Sequence, residues 1–284
     1  MVEIIDEHEK KTFKTLKKEY KLKKTEFKIE NGHIIFLDLS TVGLKTLPES
    51  FGDLKSLQQL DIYNNQLKTL PESFGNLKSL HTLHIYENQL NTLPESFGYL
   101  EALNYLNLSN NKLKTLPESI GKLKTLNFLD LSYNQLKTLP ESIGELKSLQ
   151  QLDIRYNQLK TLPKSIGGLK SLSYINLNGN GLKTLPESFG NLKSLQELYI
   201  YENQLTTLPE SFGTLKSLHT LYLYENRLTT LPESLGGLEQ LTTLDLEGNP
   251  LSKKDKEIYS KGVKAVIEYC KNIKGERQKR QLEE

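Results

Sequence analysis

Tryptophan is absent, and cysteine occurs once, at Cys270. A single cysteine excludes any internal disulfide, so packing and hydrogen bonds must hold the fold. It leaves the compartment open, because a reducing cytoplasm fits and so does a secreted form without disulfides. No stretch approaches the roughly 18 apolar residues of a membrane span. The first twenty residues, MVEIIDEHEKKTFKTLKKEY, lack the apolar run of a signal peptide. Localisation therefore stays unassigned between cytoplasmic and secreted with a leader outside this sequence. An excess of one charge is missing too. The 37 basic residues nearly balance the 35 acidic ones, for a net charge of +2, and that supplies no general pull toward nucleic acid or an anionic membrane. No nucleophile–base–acid set, P-loop or glycine-rich dinucleotide fingerprint stands out, so the chain does not read as an enzyme.

Proline is confined as well. Nine of the ten prolines sit in nine copies of one phrase, first met as LPESFG at residues 47–52, and the tenth is Pro250. The phrase begins every 23 residues, from Leu47 to Leu231. A fixed period of that length predicts a solenoid. Between the phrases runs a second pattern, L-x-x-L-x-L-x-x-N-x-L, as in Leu57-Gln-Gln-Leu60-Asp-Ile62-Tyr-Asn-Asn65-Gln-Leu67. Ten copies begin at Ile34, Leu57, Leu80, Leu103, Leu126, Leu149, Leu172, Leu195, Leu218 and Leu241.

Alternation of Leu60 and Ile62 with Gln59, Asp61 and Tyr63 predicts a short strand with one buried face. The same register one period later predicts a parallel neighbour, and the rest of the repeat supplies the crossover that parallel strands need. The asparagines from Asn65 to Asn249 recur where the chain must leave the strand, and an amide offers the turn both a donor and an acceptor. In the phrase, Leu70 and Phe74 read as core, Pro71 as a preset backbone and Gly75 as a tight bend. Glu72 and Lys78, repeated in register, read as a solvated back.

This pattern resembles the leucine-rich repeat proteins, and in particular bacterial ones with 23-residue repeats of the type found in pathogenic spirochaetes. The resemblance implies an α/β right-handed solenoid, or horseshoe. Its parallel sheet would line the concave face, with short 3₁₀ or irregular turns on the convex one. It also implies protein–protein recognition, with a host protein among the candidate partners. The expected organisation is an N-terminal cap over residues 1–33, ten repeats over 34–251 and a C-terminal cap over 252–284. Asn31-Gly32 between alternating segments predicts a hairpin, with a strand near 25–30. Phe13, Leu16 and Tyr20 sit at helical spacing in a lysine-rich run, which reads as cap helix or as a basic patch. Residues 254–273 place Ile258, Val266, Ile267, Cys270 and Ile273 on one face of a single helix, ahead of a charged, frayed tail from Lys274. Bacterial ubiquitin-ligase effectors also carry such repeats, but their catalytic cysteine lies in a large separate domain with no room here. Cys270 thus reads as a buried cap residue.

Function is then sought where the repeats disagree, on the exposed strand positions. Ten of the fourteen tyrosines fall on or beside that face. Tyr199, Tyr201, Tyr222 and Tyr224 form one patch, edged by Glu202, Glu225 and Arg227. Tyr63 and Tyr86 form another, with His84, Glu87 and Tyr105. Phe128 and Arg155 complete the candidate ligand-binding surface. Tyrosine supplies large, rigid contact area, which suits a protein ligand. Cross-strand stabilisation of the sheet is the competing account. Asp38 and Asp61, like Asp130 and Asp153, stack like charges that a cation or a basic partner would relieve, and Arg155 could relieve the second pair internally. His81, His84 and Glu87 make a weak zinc or calcium candidate. The leading reading is a non-catalytic protein-binding module without a cofactor, and the alternative is a metal-binding or self-associating scaffold.

Overall fold

The computed structural model describes residues 4, 6–20 and 26–283, the side chains of 277–283 excepted. Two compact units divide the chain, Met1–Leu149 and Gln150–Glu284.

Unit 1 opens with helix α1 (Glu7–Tyr20), followed by six strands in chain order. They are β1 (Phe27–Glu30), β2 (His33–Asp38), β3 (Gln59–Asp61), β4 (Thr82–His84), β5 (Tyr105–Asn107) and β6 (Phe128–Asp130). Strands β2 to β6 are parallel, and each residue pairs with the one a full repeat later, as Leu60 with Leu83. β1 runs antiparallel to β2. Its turn is Asn31-Gly32, with φ of 50° and 80°, the left-handed pair that a two-residue hairpin requires. Phe13 and Leu16 of α1 are buried, and Phe13 meets Phe27 edge-on at 4.7 Å. Glu9, also buried, accepts from the Ile34 backbone N–H and faces His33 Nδ1. The helix thereby satisfies a donor at the first repeat while covering its apolar side.

Unit 2 carries β7 (Gln151–Asp153), β8 (Tyr174–Asn176), β9 (Glu197–Tyr199), β10 (Thr220–Tyr222) and β11 (Thr243–Asp245). β7 to β11 are parallel in the same full-repeat register. Within each unit the α/β repeat is the same, a parallel strand followed by a 3₁₀ turn such as Glu72–Asn76 in unit 1 or Glu210–Thr214 in unit 2.

Every strand leucine and every aromatic or aliphatic residue of the phrase is buried in this core. Phe51, Phe74 and Phe97 stack at 6.0 and 6.1 Å with planes nearly parallel, and Phe189 and Phe212 do the same at 6.1 Å. The ladder asparagines bond as their amides allow. Asn111 accepts from Leu90 N–H at 2.9 Å and donates to the carbonyls of Ile85, Leu108 and Ser109. One side chain thus ties its own turn to the preceding repeat.

Two local expectations need correction. Gly75 does not take a positive φ. A Cβ there would lie 2.2 Å from the Ser96 carbonyl oxygen, so glycine is required by close approach of the next turn, not by the bend. Residues 254–273 form two helices, α2 (Lys253–Tyr259) and α3 (Val263–Glu283), separated at Gly262 with φ 94°. α3 continues through the charged tail to Glu283. Ser252 caps α2 by accepting from Asp255 N–H at 3.1 Å. Val266 and Cys270 are fully buried, and Gly236 lacks the Cβ that would strike Lys271 N of α3 at 2.6 Å. Burial first, then the Asp255 and Glu233 charges, push the Cys270 thiol up to about 12.

Candidate functional site

Strand side chains alternate between core and an open face. The regular strands end at the second open position, but the backbone ladder continues past it. Ile62 N–H donates to His84 O and Asn64 N–H to Tyr86 O, which holds Tyr63, Tyr86, Tyr201 and Tyr224 in the same stacked register as the strands.

In unit 1, Tyr63 and Tyr86 stack at 4.6 Å with planes 3° apart. Tyr105 and Phe128 stack at 4.3 Å. His84 joins the two pairs, tilted against Tyr105 at 5.0 Å and edge-on to Tyr86 at 6.4 Å. The patch is a continuous aromatic row with Glu87 exposed at its rim. Beside it Asp38 and Asp61 are register partners. Burial first raises the Asp61 carboxyl pKa and the Asp38 charge adds to it, while Gln59 and His84 act against both. Asp38 itself accepts from the Ser40 N–H and hydroxyl. His81 is exposed, and its backbone N–H pairs with Gln58 O. Among the described residues no three His, Cys, Asp or Glu side chains converge as a metal site.

In unit 2, Tyr201 and Tyr224 stack at 4.1 Å and Tyr199 and Tyr222 at 5.1 Å, each pair 13° from parallel. Tyr222 meets Tyr224 edge-on at 6.5 Å, which joins the pairs into one block. Tyr174, absent from the sequence-derived candidates, extends it by packing on Tyr199 at 5.4 Å. The Tyr199 hydroxyl donates to Glu197 at 3.0 Å. Burial and that carboxylate push the Tyr199 phenol up to about 12. Tyr224 is raised as well, by burial first and then by Tyr201 and the Glu202 charge. Arg155 lies 3.5 Å from Asp153, the carboxylate two residues before it. Arg227 is exposed after the ladder asparagine.

Two features were not anticipated. Glu87, Glu202 and Glu225, each following a tyrosine of the site, have φ of 51–53°. That left-handed region suits Gly or Asn, and the same position holds Asn64, Asn110, Gly179 and Gly248 but also Thr41, Tyr133 and Tyr156 in other repeats. The three glutamates occupy it against that preference, as Thr41, Tyr133 and Tyr156 do, and what sets them beside the site is the thrice-repeated Tyr-Glu-Asn. Asn178 is the second feature. It is fully buried beside Tyr201, whose N–H donates to its Oδ1 at 2.9 Å. Its Nδ2 has no acceptor among the described residues.

A family profile described as a leucine-rich repeat region matches residues 16–111 and 118–204, and one described as a leucine rich repeat matches 208–251. No curated protein matches the chain. Among solved structures, the chain is 38% identical to the leucine-rich repeat ectodomain of the Arabidopsis thaliana receptor kinase GASSHO1/SCHENGEN3, in complex with Casparian strip integrity factor 2. That match covers 76% of this chain and 27% of the other, with a TM-score of 0.66. The plant peptide hormone receptor RGFR1, in complex with RGF2, is 31% identical over 73% of this chain and 34% of its own, with a TM-score of 0.64. This chain therefore spans about a third or less of either receptor chain. A leucine-rich repeat protein of Leptospira interrogans is 30% identical over 77% of this chain and 79% of its own, with a TM-score of 0.40.

Proposed function

The chain belongs to the leucine-rich repeat family, and we propose that it is a non-catalytic protein-binding module whose contact surface is the tyrosine-bearing open face of unit 2. The observation that carries this reading is the block of Tyr199, Tyr201, Tyr222 and Tyr224. Four large rings stack on the side of the sheet that covers no core. Aromatic pairing across strands adds about 0.5–1.5 kcal/mol per pair, and smaller residues satisfy the same strand positions elsewhere, as Asn176 does for Tyr199 and Asn178 for Tyr201. Tyrosine adds contact area that loses little entropy on binding, together with a hydroxyl for the partner. The plant receptors of similar fold are solved with bound partners, which supports the same use of the repeats.

Selection of a random 12-residue peptide display library on the immobilised full chain tests this. Replacing the four tyrosines by alanine removes partly exposed rings and leaves the leucine core whole, so the thermal melt should stay cooperative. Enriched peptides are expected to lose binding to that variant by at least about a hundredfold, as hot-spot aromatic residues at an interface do. Peptides that bind wild type and variant equally would sink the reading.

A further inference from the structure

The tyrosine block has an occupied side and a free side. Tyr199 and Tyr201 cover the β9-side faces of Tyr222 and Tyr224. On the other side, β11 presents no aromatic ring. The register partner of Tyr222 is Asp245, and in the next open position the Glu225 N–H pairs with Glu247 O, which places Glu247 opposite Tyr224. The result is a notch one strand wide, walled by two ring faces and floored by two carboxylates. Asp245 is partly exposed and Glu247 exposed, and Glu225 rims the notch from its left-handed position.

The strand-and-turn residues around the notch carry charge of one sign, while Lys256 of α2 shares a cleft with Glu247 at the β11 edge. The strand-and-turn stretches 173–180, 196–203, 219–226 and 242–249 hold Glu197, Glu202, Glu225, Asp245 and Glu247, and no Lys or Arg. That is a segregation, because the chain as a whole is slightly basic. Ring faces attract cations within about 6 Å of the centroid. A guanidinium can stack on such a face and fork to carboxylates at its edge.

We propose that the notch between β10 and β11 takes an arginine or lysine side chain of an extended, basic segment of a partner protein. The proposal rests on the binding reading above and names the chemistry of the partner. Tyr222 and Tyr224 provide the stacking wall. Glu247 and Glu225 provide the accessible counter-charge, Asp245 adds its own while its Oδ1 accepts from the Glu247 N–H at 2.9 Å and the Tyr259 hydroxyl at 3.5 Å, and the remaining tyrosines support the flanking chain.

Three fluorescein-labelled peptides test it by anisotropy on the full chain, namely six Arg-Ser units, six citrulline-Ser units and six Glu-Ser units. Citrulline keeps the shape of arginine without its charge. The Arg-Ser peptide should bind at least about tenfold more tightly than the other two. The double variant Glu225→Gln/Glu247→Gln should erase that advantage with an unchanged melt, and moderate salt should weaken binding in the same direction. Equal binding of the arginine and citrulline peptides overturns the proposal, as does indifference to the double variant. Sedimentation of the chain alone reports whether a second copy fills the face. A dimer that dissociates on Tyr222→Ala/Tyr224→Ala overturns the proposal in favour of self-association. The two levels separate in the display selection. Peptides that need the tyrosines but carry no excess of Arg or Lys refute the charge and keep the binding reading, whereas peptides that ignore the tyrosines refute both.

Discussion

Replacing Gly98 by alanine should damage the fold far more than its size suggests. The added Cβ would lie 2.2 Å from the Ser119 carbonyl oxygen, 2.6 Å from Ser119 Cβ and 2.8 Å from Ser119 C. A carbon resting on a carbonyl oxygen needs about 3.3 Å, so the two 3₁₀ turns must separate by about 1 Å. The obstacle is backbone and cannot rotate away. Overpacking of this kind costs about 1–3 kcal/mol, and less freedom in the unfolded chain returns only about 0.4–1 kcal/mol. The net loss should be about 1–2 kcal/mol. Separation would also loosen the Phe74–Phe97 stack, now 6.1 Å between centroids. Gly181 is the control. Its φ is not positive, and its added Cβ would meet nothing closer than the Leu159 oxygen at 3.4 Å. Gly181→Ala should be neutral or slightly stabilising. Urea denaturation followed by circular dichroism measures both changes, read as shifts in midpoint at constant slope. Equal midpoints for the two variants would refute the close-approach account and return these glycines to the role of flexible bends.

The remaining predictions concern the ladder, the C-terminal cap and the tyrosines. Asn111→Ala leaves the Leu90 N–H and three carbonyls short of a partner, and should cost about 2–4 kcal/mol in the same denaturation assay. Cys270 should resist iodoacetamide at pH 8 in the native protein and react fully in denaturant, because its thiol is buried and titrates near 12. The folded state holds that proton longer than the unfolded one, so stability should fall as pH rises from about 9 toward 12, and Cys270→Ala should flatten that slope by one proton. Tyr199 should titrate late in absorbance at 295 nm, near 12. Glu197→Gln should bring the Tyr199 titration down part of the way, with burial holding the rest, and an unchanged titration would contradict the Glu197 bond as a contributing cause.

The back of the repeat was legible because period alone stacks identical residues. Leucine at fixed spacing must meet leucine one repeat later, and the asparagine ladder follows from the same register. The tyrosine patches were legible too, since alternation assigns each position to a face. Tyr174, Asn178 and the charge segregation along β8 to β11 were present in the same columns but had no periodic signal to mark them. Tyr259 was invisible for a different reason. Its hydroxyl accepts from Leu246 N–H at 3.2 Å, closing the edge of β11, and only the turn of the chain between α2 and α3 brings it there.

Sequence by itself determined the solenoid, its register and the side of the sheet on which the repeats vary. These follow from a 23-residue period and two-residue alternation, both properties of the chain in one dimension. Tertiary structure decided which small residues are obligatory, because Gly98 is constrained by a carbonyl 21 residues away. It also decided that one face of the tyrosine block is covered and the other open. Ring stacking depends on the distance and tilt between neighbouring side chains, and no linear pattern encodes those.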